Sequence, residues 1–439
     1  MLIKLRYWWQ EQRSSFWFVP SVIVLDAVVL ATILIVIDTT IDLGVAEGWP
    51  LVFGSGAAGA RGLLTTVASS MITVAGLVFS ITLVALSLAS SQYTSRVIRN
   101  FMRDRVNQGV LGIFVGIFAY CLVVLRTIRG GDEGMFVPAL AVLVGLLFAF
   151  VGIAVLIFFI HHISISIQAS SIIAGAAEET IAAVDHLFPE RLDDDEEENK
   201  DGGFSTSLAH RPWYAVPARK SGYIESVDMN ILLDIAREQR IILRMERGVG
   251  EFVVEGAPLV SVMNLINPKE ELIAKLNSIY AISRQRTVDQ DASFGIRQIV
   301  DIAMKALSPG INDTTTAIMC IDYLAAIMVR IAARRMSPPH YLDNGELRVI
   351  ARGPSFESLL SESFDQIREH GASNIAILLR MLGALQTIAH QTTNACRCRE
   401  VHNKVQCIAD LAERTITFPY DWERFQSRLI QVQKSLKSC

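Results

Sequence analysis

The sequence predicts an α-helical membrane domain of about four transmembrane helices, followed by an α+β cytoplasmic domain with a small β-barrel-like subdomain. Three observations carry this expectation. Four stretches in the first part approach the roughly 20 apolar residues that a helix needs to cross a bilayer core. From Pro189 onward the chain has the mixed composition of a soluble protein. Between the two lies an acidic run, Asp193 to Glu198, leading into a Gly- and Ser-containing segment with the composition of a solvated linker. The expected organisation is a transmembrane domain at 1–162, a stalk helix at 163–188, an acidic flexible linker at 189–212, a small β subdomain at 213–262 and a mainly helical cytoplasmic domain at 263–439.

The four apolar stretches run from about Phe16 to Ile37, Thr65 to Ser90, Val110 to Leu125 and Phe136 to Ile160. They are continuous rather than alternating, so helices, which satisfy their own backbone in lipid, are the expected spans. The basic N-terminus (Lys4, Arg6, Arg13) precedes an apolar run too long for a cleaved signal and lacking a small-residue cleavage pattern, which predicts a retained first span. Arg96, Arg99, Arg103 and Arg105 lie between the second and third stretches, whereas the other two loops are acidic or mixed. The positive-inside rule then places both termini in the cytoplasm. Trp8, Trp9, Trp17 and Trp49 fall near the expected interfaces. Across its 439 residues the chain is 51% hydrophobic and 19% charged, with a net charge of −4, which argues against a nucleic-acid partner. Its six Cys show no metal-ligand spacing, and free thiols in a reducing compartment are expected.

The second stretch is the most informative. Thr66, Ser69, Thr73, Gly76, Ser80, Ser87 and Ser91 recur mostly at steps of three or four, with Leu83 and Val84 filling the one longer step. Such spacing sets them on one helix face. Two readings stand. Small hydroxyl residues let helices pack closely and hydrogen-bond. Alternatively the stripe lines a pore completed by other copies, with Leu83 and Val84 as a hydrophobic constriction. Arg96, Arg99 and Arg103 continue at helical spacing, either as topology-setting charges or as a positive ring at a cytoplasmic mouth. Asp26, near the middle of the first span, is costly at that depth. It either binds a cation or relays protons, or sits protonated in a hydrogen bond, with Ser80, Thr82 and Tyr120 as expected neighbours. His161 and His162 read as a polar interfacial end.

In the second half, short strand patterns occur at Ala215–Ala218, Gly222–Val227, Arg240–Met245 and Gly250–Val260, around a helix at Met229–Gln239. Residues 268–335 read as mainly helical, 346–351 as a strand, and 355 onward as helical. Within Ser308-Pro309-Gly310-Ile311-Asn312-Asp313, Pro-Gly ends one helix and Asn312 or Asp313 caps the next, an ordinary connection or a helix start able to hold an anion. No nucleotide-binding, serine-hydrolase or zinc-protease motif is present, so no enzyme, cofactor or metal is expected.

Two stretches, Phe79-Ser80-Ile81-Thr82-Leu83-Val84-Ala85-Leu86 through Ala89–Arg96 and Ala292-Ser293-Phe294-Gly295-Ile296-Arg297 continuing to Ala306–Asp313, resemble a family of bacterial predicted inner-membrane proteins, domain of unknown function 2254. The family often has Pro where Ser95 and Thr314 stand. The resemblance implies a multi-pass protein of the bacterial inner (plasma) membrane and supplies no function. From the residues, the expectation is a homo-oligomeric ion channel or pore lined by the second span, with the lipid bilayer, further copies of itself and ions as partners and a gating or sensing cytoplasmic domain. The alternatives are a secondary transporter using Asp26 and a non-conducting scaffold or sensor.

Overall fold

The computed structural model describes residues 17–40, 56–92, 104–129, 136–189, 212–265, 268–336, 338–392 and 394–436. The chain divides into two compact units, Met1–Ser171 and Ile172–Cys439.

Among the described residues the first unit has four helices, α1 (Phe18–Thr40), α2 (Gly56–Gln92), α3 (Arg105–Thr127) and α4 (Ala139–Ser166). Helix α2 begins nine residues before the expected Thr65. Its first turns, Gly-Ala-Ala-Gly-Ala-Arg-Gly, are glycine-rich and helix-poor by propensity, but Ala57, Ala60 and Leu64 are buried and hold them in place. Together with a helix of the second unit, Thr314–Ala332, five helices among the described residues are long and apolar enough to cross a membrane, one more than expected.

Helix α3 packs against α1, α2 and α4. Gly112 and Gly116, spaced as G-x-x-x-G, let α1 approach closely. A Cβ on Gly112 would stand 2.8 Å from Ile23 Cδ1 and 2.9 Å from Pro20 Cα, and one on Gly116 would meet Ile23 and Ala27. The pairing ascends in both helices, so α1 and α3 are parallel. Gly145 faces Leu64 and Tyr120, and Gly152 faces Met71 and Ile117, so α2 and α4 run antiparallel to α3.

Polar side chains tie the helix ends. At one end the Arg61 guanidinium donates to Ile128 O, the C-cap of α3, at 2.6 Å. Asp38 accepts from the backbone N–H of Leu140 (3.2 Å) and Ala141 (3.1 Å), satisfying the orphan donors at the start of α4. Tyr120 Oη donates to Ala141 O at 2.7 Å. At the other end Asp104 caps α3 through Val106 N (2.9 Å), and its second oxygen meets His162 Nε2 at 2.7 Å.

The expected stalk is a separate helix, α5 (Ala169–Leu187), most of it in the second unit, because the chain turns at Ile167 and bends at Gln168. Its Ile173, Ala177, Thr180 and Val184 are buried. The remaining helices are α6 (Met229–Glu238), α7 (Glu270–Ile279), α8 (Ala292–Ala306), α9 (Thr314–Ala332), α10 (Phe356–His370), α11 (Ile375–His390), α12 (Ala395–Thr415) and α13 (Pro419–Leu436). Helices α8 to α13 pack on one another, with α9 against α8, α10 and α11. Asp185 of α5 is held by Arg330 Nη2 at 2.9 Å and by Arg334 at 2.8 Å. The Arg330 hydrogen bonds keep its carboxyl below the usual range.

The β subdomain is not a closed barrel. Its strands are β1 (Trp213–Pro217), β2 (Gly222–Val227), β3 (Ile242–Met245), β4 (Phe252–Val253), β5 (Pro258–Met263), β6 (Tyr280–Ser283), β7 (His340–Asp343) and β8 (Glu346–Ile350). They form two open sheets, β1-β5-β3-β8-β7 and β4-β2-β6. Closure fails because β3, paired with β5 on one edge, pairs in parallel on the other with β8, a strand about a hundred residues away in sequence, which extends the sheet. Between the sheets and helices α6 and α7 lies a core that includes Val216, Ile224, Leu232, Leu243, Val260, Leu276 and Val349. Strand β7 was not expected, although the Asn344-Gly345 turn after it, with φ of 50° and 80°, is a strong hairpin signal.

Candidate functional site

Helix α2 has two unlike faces. Ala57, Ala60, Leu64, Val67, Ala68, Met71, Ala75, Val78 and Ala85 are buried against the other helices of the first unit. The predicted stripe is on the other side. Thr66, Ser69, Thr73, Gly76, Ser80, Leu83, Val84 and Ser87 are all exposed. At roughly 100° per residue the two sets are centred about 180° apart. A Cβ at Gly76 would meet nothing within 4 Å. The side chain of Ser91, and Arg96, Arg99 and Arg103, lie outside the described residues.

Part of the hydroxyl chemistry is already used within the helix. Thr66 Oγ1 donates to Gly62 O, Ser70 Oγ to Thr66 O and Thr73 Oγ1 to Ser69 O, each at 2.8 Å. These bonds consume the donors and leave hydroxyl lone pairs facing outward. Among the described residues Ser69 and Ser80 give no such bond. The face therefore offers both donors and acceptors.

Asp26 is exposed on α1 and makes no hydrogen bond or ion pair with a described residue. Its surroundings on that side are Val22, Leu25, Val29, Leu30 and Ile33, all exposed. The expected neighbours are not there, since the Tyr120 hydroxyl is spent on Ala141 O. Depth explains the difference. Ala27 faces Gly116, and the adjacent Ile117 reaches the level of Met71 through Gly152. Asp26 is thus level with Met71–Thr73, about 10 Å along the axis from Ser80 at 1.5 Å per residue.

The motif around Ser308–Thr316 is a tight helix connection. Asn312 adopts φ 50°, and Asp313 accepts from Thr316 N (3.0 Å) and Thr316 Oγ1 (2.6 Å). These bonds, the Thr316 hydroxyl first, hold the Asp313 carboxyl below its usual range. A carboxylate already seated on the helix start repels a second anion, so the geometry is that of the ordinary connection. Around Ala292–Arg297, Asp291 caps α8 and is bound by the Arg286 guanidinium at 2.8 and 3.0 Å. Ser293 Oγ donates to Glu362. Gly295 lies under Thr180, whose Oγ1 would be 2.0 Å from an added Cβ. This stretch is a packing junction of α5, α8 and α10.

A family described as "Predicted membrane protein (DUF2254)" matches residues 13–387. The chain belongs to this family. Uncharacterized proteins of Mycobacterium tuberculosis strain H37Rv and of Mycobacterium bovis are each 33% identical to it over 414 residues, which cover 92% of this chain and 77% of theirs. No solved structure matches. The second stretch that resembled DUF2254 is thereby explained physically. Its Gly295 permits close helix contact, and its Asp313 caps α9.

Sequence reasoning missed the polar ties of the DUF2254 bundle. Asp38, Arg61 and Asp104 stand near the ends of the apolar stretches, where nothing in the sequence marks them as ties. Their partners lie 58 to 103 residues away in sequence, so no local signal marks them. Gly112 and Gly116 did carry a local signal, the G-x-x-x-G spacing. Among the cysteines, Cys121, Cys320, Cys396 and Cys407 are free, whereas Cys398 is disulfide-bonded, contrary to the expectation for all six. Among the described residues no group of three or more His, Cys, Asp or Glu is placed to hold a metal ion.

Proposed function

We propose that this DUF2254 protein is a homo-oligomeric membrane pore whose lumen is lined by the hydroxyl face of α2. One observation carries the reading: every described member of the predicted stripe is turned away from the helices of its own chain. Packing within one bundle does not use the stripe. Facing lipid, hydroxyls and a bare glycine gain nothing that leucine would not supply. Facing water inside a ring of copies, they form a hydrated path, and Leu83 and Val84 narrow it with apolar side chains.

The four helices of the first unit are the spans of this reading. In the sequence Lys4, Arg6 and Arg13 precede the first span and Arg96 to Arg105 lie between the second and third, and the positive-inside rule supports cytoplasmic termini. Residues from Ile172 onward then belong to the cytoplasm, where they gate the pore or sense a ligand. The membrane is the inner membrane of a bacterium.

Planar-bilayer recording of the purified protein under a salt gradient tests this directly. Discrete unitary currents, reduced by Ser80→Phe, are expected, and the reversal potential gives the sign of the ion. Silence from folded oligomer, together with Cys substitutions at Ser80 and Ser87 that resist water-soluble thiol reagents, would instead make the stripe a dry contact in a non-conducting scaffold.

A further inference from the structure

We propose that Asp26 of one copy seats against the α2 hydroxyl face of a second copy at the level of Ser69 and Thr73. The contact of α1 with a neighbouring α2 would then be the joint that closes the ring. This rests on the oligomeric reading above and names its interface.

The argument begins with cost. A carboxylate near the middle of an apolar helix is expensive in hydrocarbon and is found facing protein, another polar group or water. Asp26 faces none of these within the described residues of its own chain. Its flank of α1 is otherwise apolar and exposed. Hydrogen-bond donors at that depth must then come from outside the described residues, and a second copy of the chain offers them.

The same chain presents such a surface. The face of α2 is exposed at the Met71–Thr73 level, the level of Asp26, and there Ser69 keeps a free hydroxyl donor. The small side chains and Gly76 admit close approach of a second helix. Donor and acceptor chemistry match, and so do their depths. The two surfaces lie on different helices, both packed against α3. Made in one direction around a closing rotation, with the α1 of each copy on the α2 of the next, the contact is heterologous and generates a ring. It occupies the Ser69–Thr73 level and leaves Ser80 and Ser87, about 10 to 21 Å further along the axis, to the lumen.

Two differently tagged full-length chains, Asp26→Cys and Ser69→Cys, are co-expressed, oxidised in native membranes and resolved by size. The expected result is a mixed-tag disulfide species that neither variant forms alone. Asp26→Ala, whose site is exposed and so leaves the bundle intact, should weaken the oligomer about tenfold or more in detergent dilution, as for loss of a hydrogen bond to a charged group. An intact oligomer in which Ser69→Cys crosslinks only to itself would overturn the proposed joint and leave the pore reading standing. A mixed crosslink in protein that does not conduct would keep the joint and discard the pore. A monomer by native mass measurement would remove both.

Discussion

In the second unit, exposed and half-buried charges pair with one another, as Arg330 does with Asp185, Lys404 with Asp365 and Arg380 with Asp322. The apolar side chains lie beneath them. In the first unit the exposed positions are themselves apolar, among them Leu147, Phe150, Ile153 and Ile157 of α4. There the pairing groups, Asp38, Arg61, Asp104 and His162, are confined to the helix ends. The contrast is that between a surface made for water and one made for lipid. Against the second kind of surface, a row of hydroxyls and one carboxylate are out of place, which is why they carry the functional reading.

The largest test of this contrast compares two glycines. Gly112→Val forces atoms into the α1–α3 contact, where a Cβ already meets Pro20 Cα at 2.9 Å. It should destabilise the first unit by about 3 kcal/mol through overpacking. Gly76→Val, on the hydroxyl face, has open space and should leave the stability of the single bundle within about 0.5 kcal/mol. Unfolding in mixed detergent micelles, followed by circular dichroism, reads both. Equal loss in the two variants would mean that the hydroxyl face is already packed within one chain.

That contrast also marks what the sequence makes legible. Apolar helices could be read because length and composition define them, although the same two properties admit Thr314–Ala332 as a fifth among the described residues; the α2 stripe could be read because helical periodicity defines it. Where the stripe points is a property of packing, which periodicity does not contain. The start of α2 was hidden by glycines whose low propensity is overridden by burial of Ala57, Ala60 and Leu64. The barrel expectation failed because β3 finds its partner in β8, and non-local pairing leaves no local trace. The depth of Asp26 depends on the helix register set by Gly116 and Gly152, which no span count supplies.

A smaller effect is expected in the second unit at Arg397. This arginine is buried, and its Nη1 donates to Ala332 O at 3.1 Å and Arg334 O at 2.8 Å, closing the C-terminal end of α9. Its guanidinium also lies over the Phe356 ring. Arg397→Met retains volume and removes the donors, leaving buried carbonyls unpaired at a cost of about 2 kcal/mol. Thermal unfolding of the full chain in detergent reads the loss. No change would show that water reaches the end of α9, and the second unit would then be less tightly closed than its paired surface implies.

The smallest effect sharpens the comparison at Glu362, the second unit's own poorly placed carboxylate. Burial raises its pKa, more than the Ser293 hydroxyl and the Arg286 charge lower it. An acid with a raised folded-state pKa contributes most to stability below its unfolded value, about 4.3. That contribution is lost as pH rises through the folded value. Glu362→Gln keeps an acceptor for Ser293 and carries no charge, so it avoids this loss. The variant should match the parent near pH 4 and melt higher at pH 7 to 8, a difference that grows with pH and then levels off. A gain of equal size at both ends of the range would assign the effect to packing. A gain only at low pH would mean that Arg286 dominates and that Glu362 is stabilised as a charged partner in the junction.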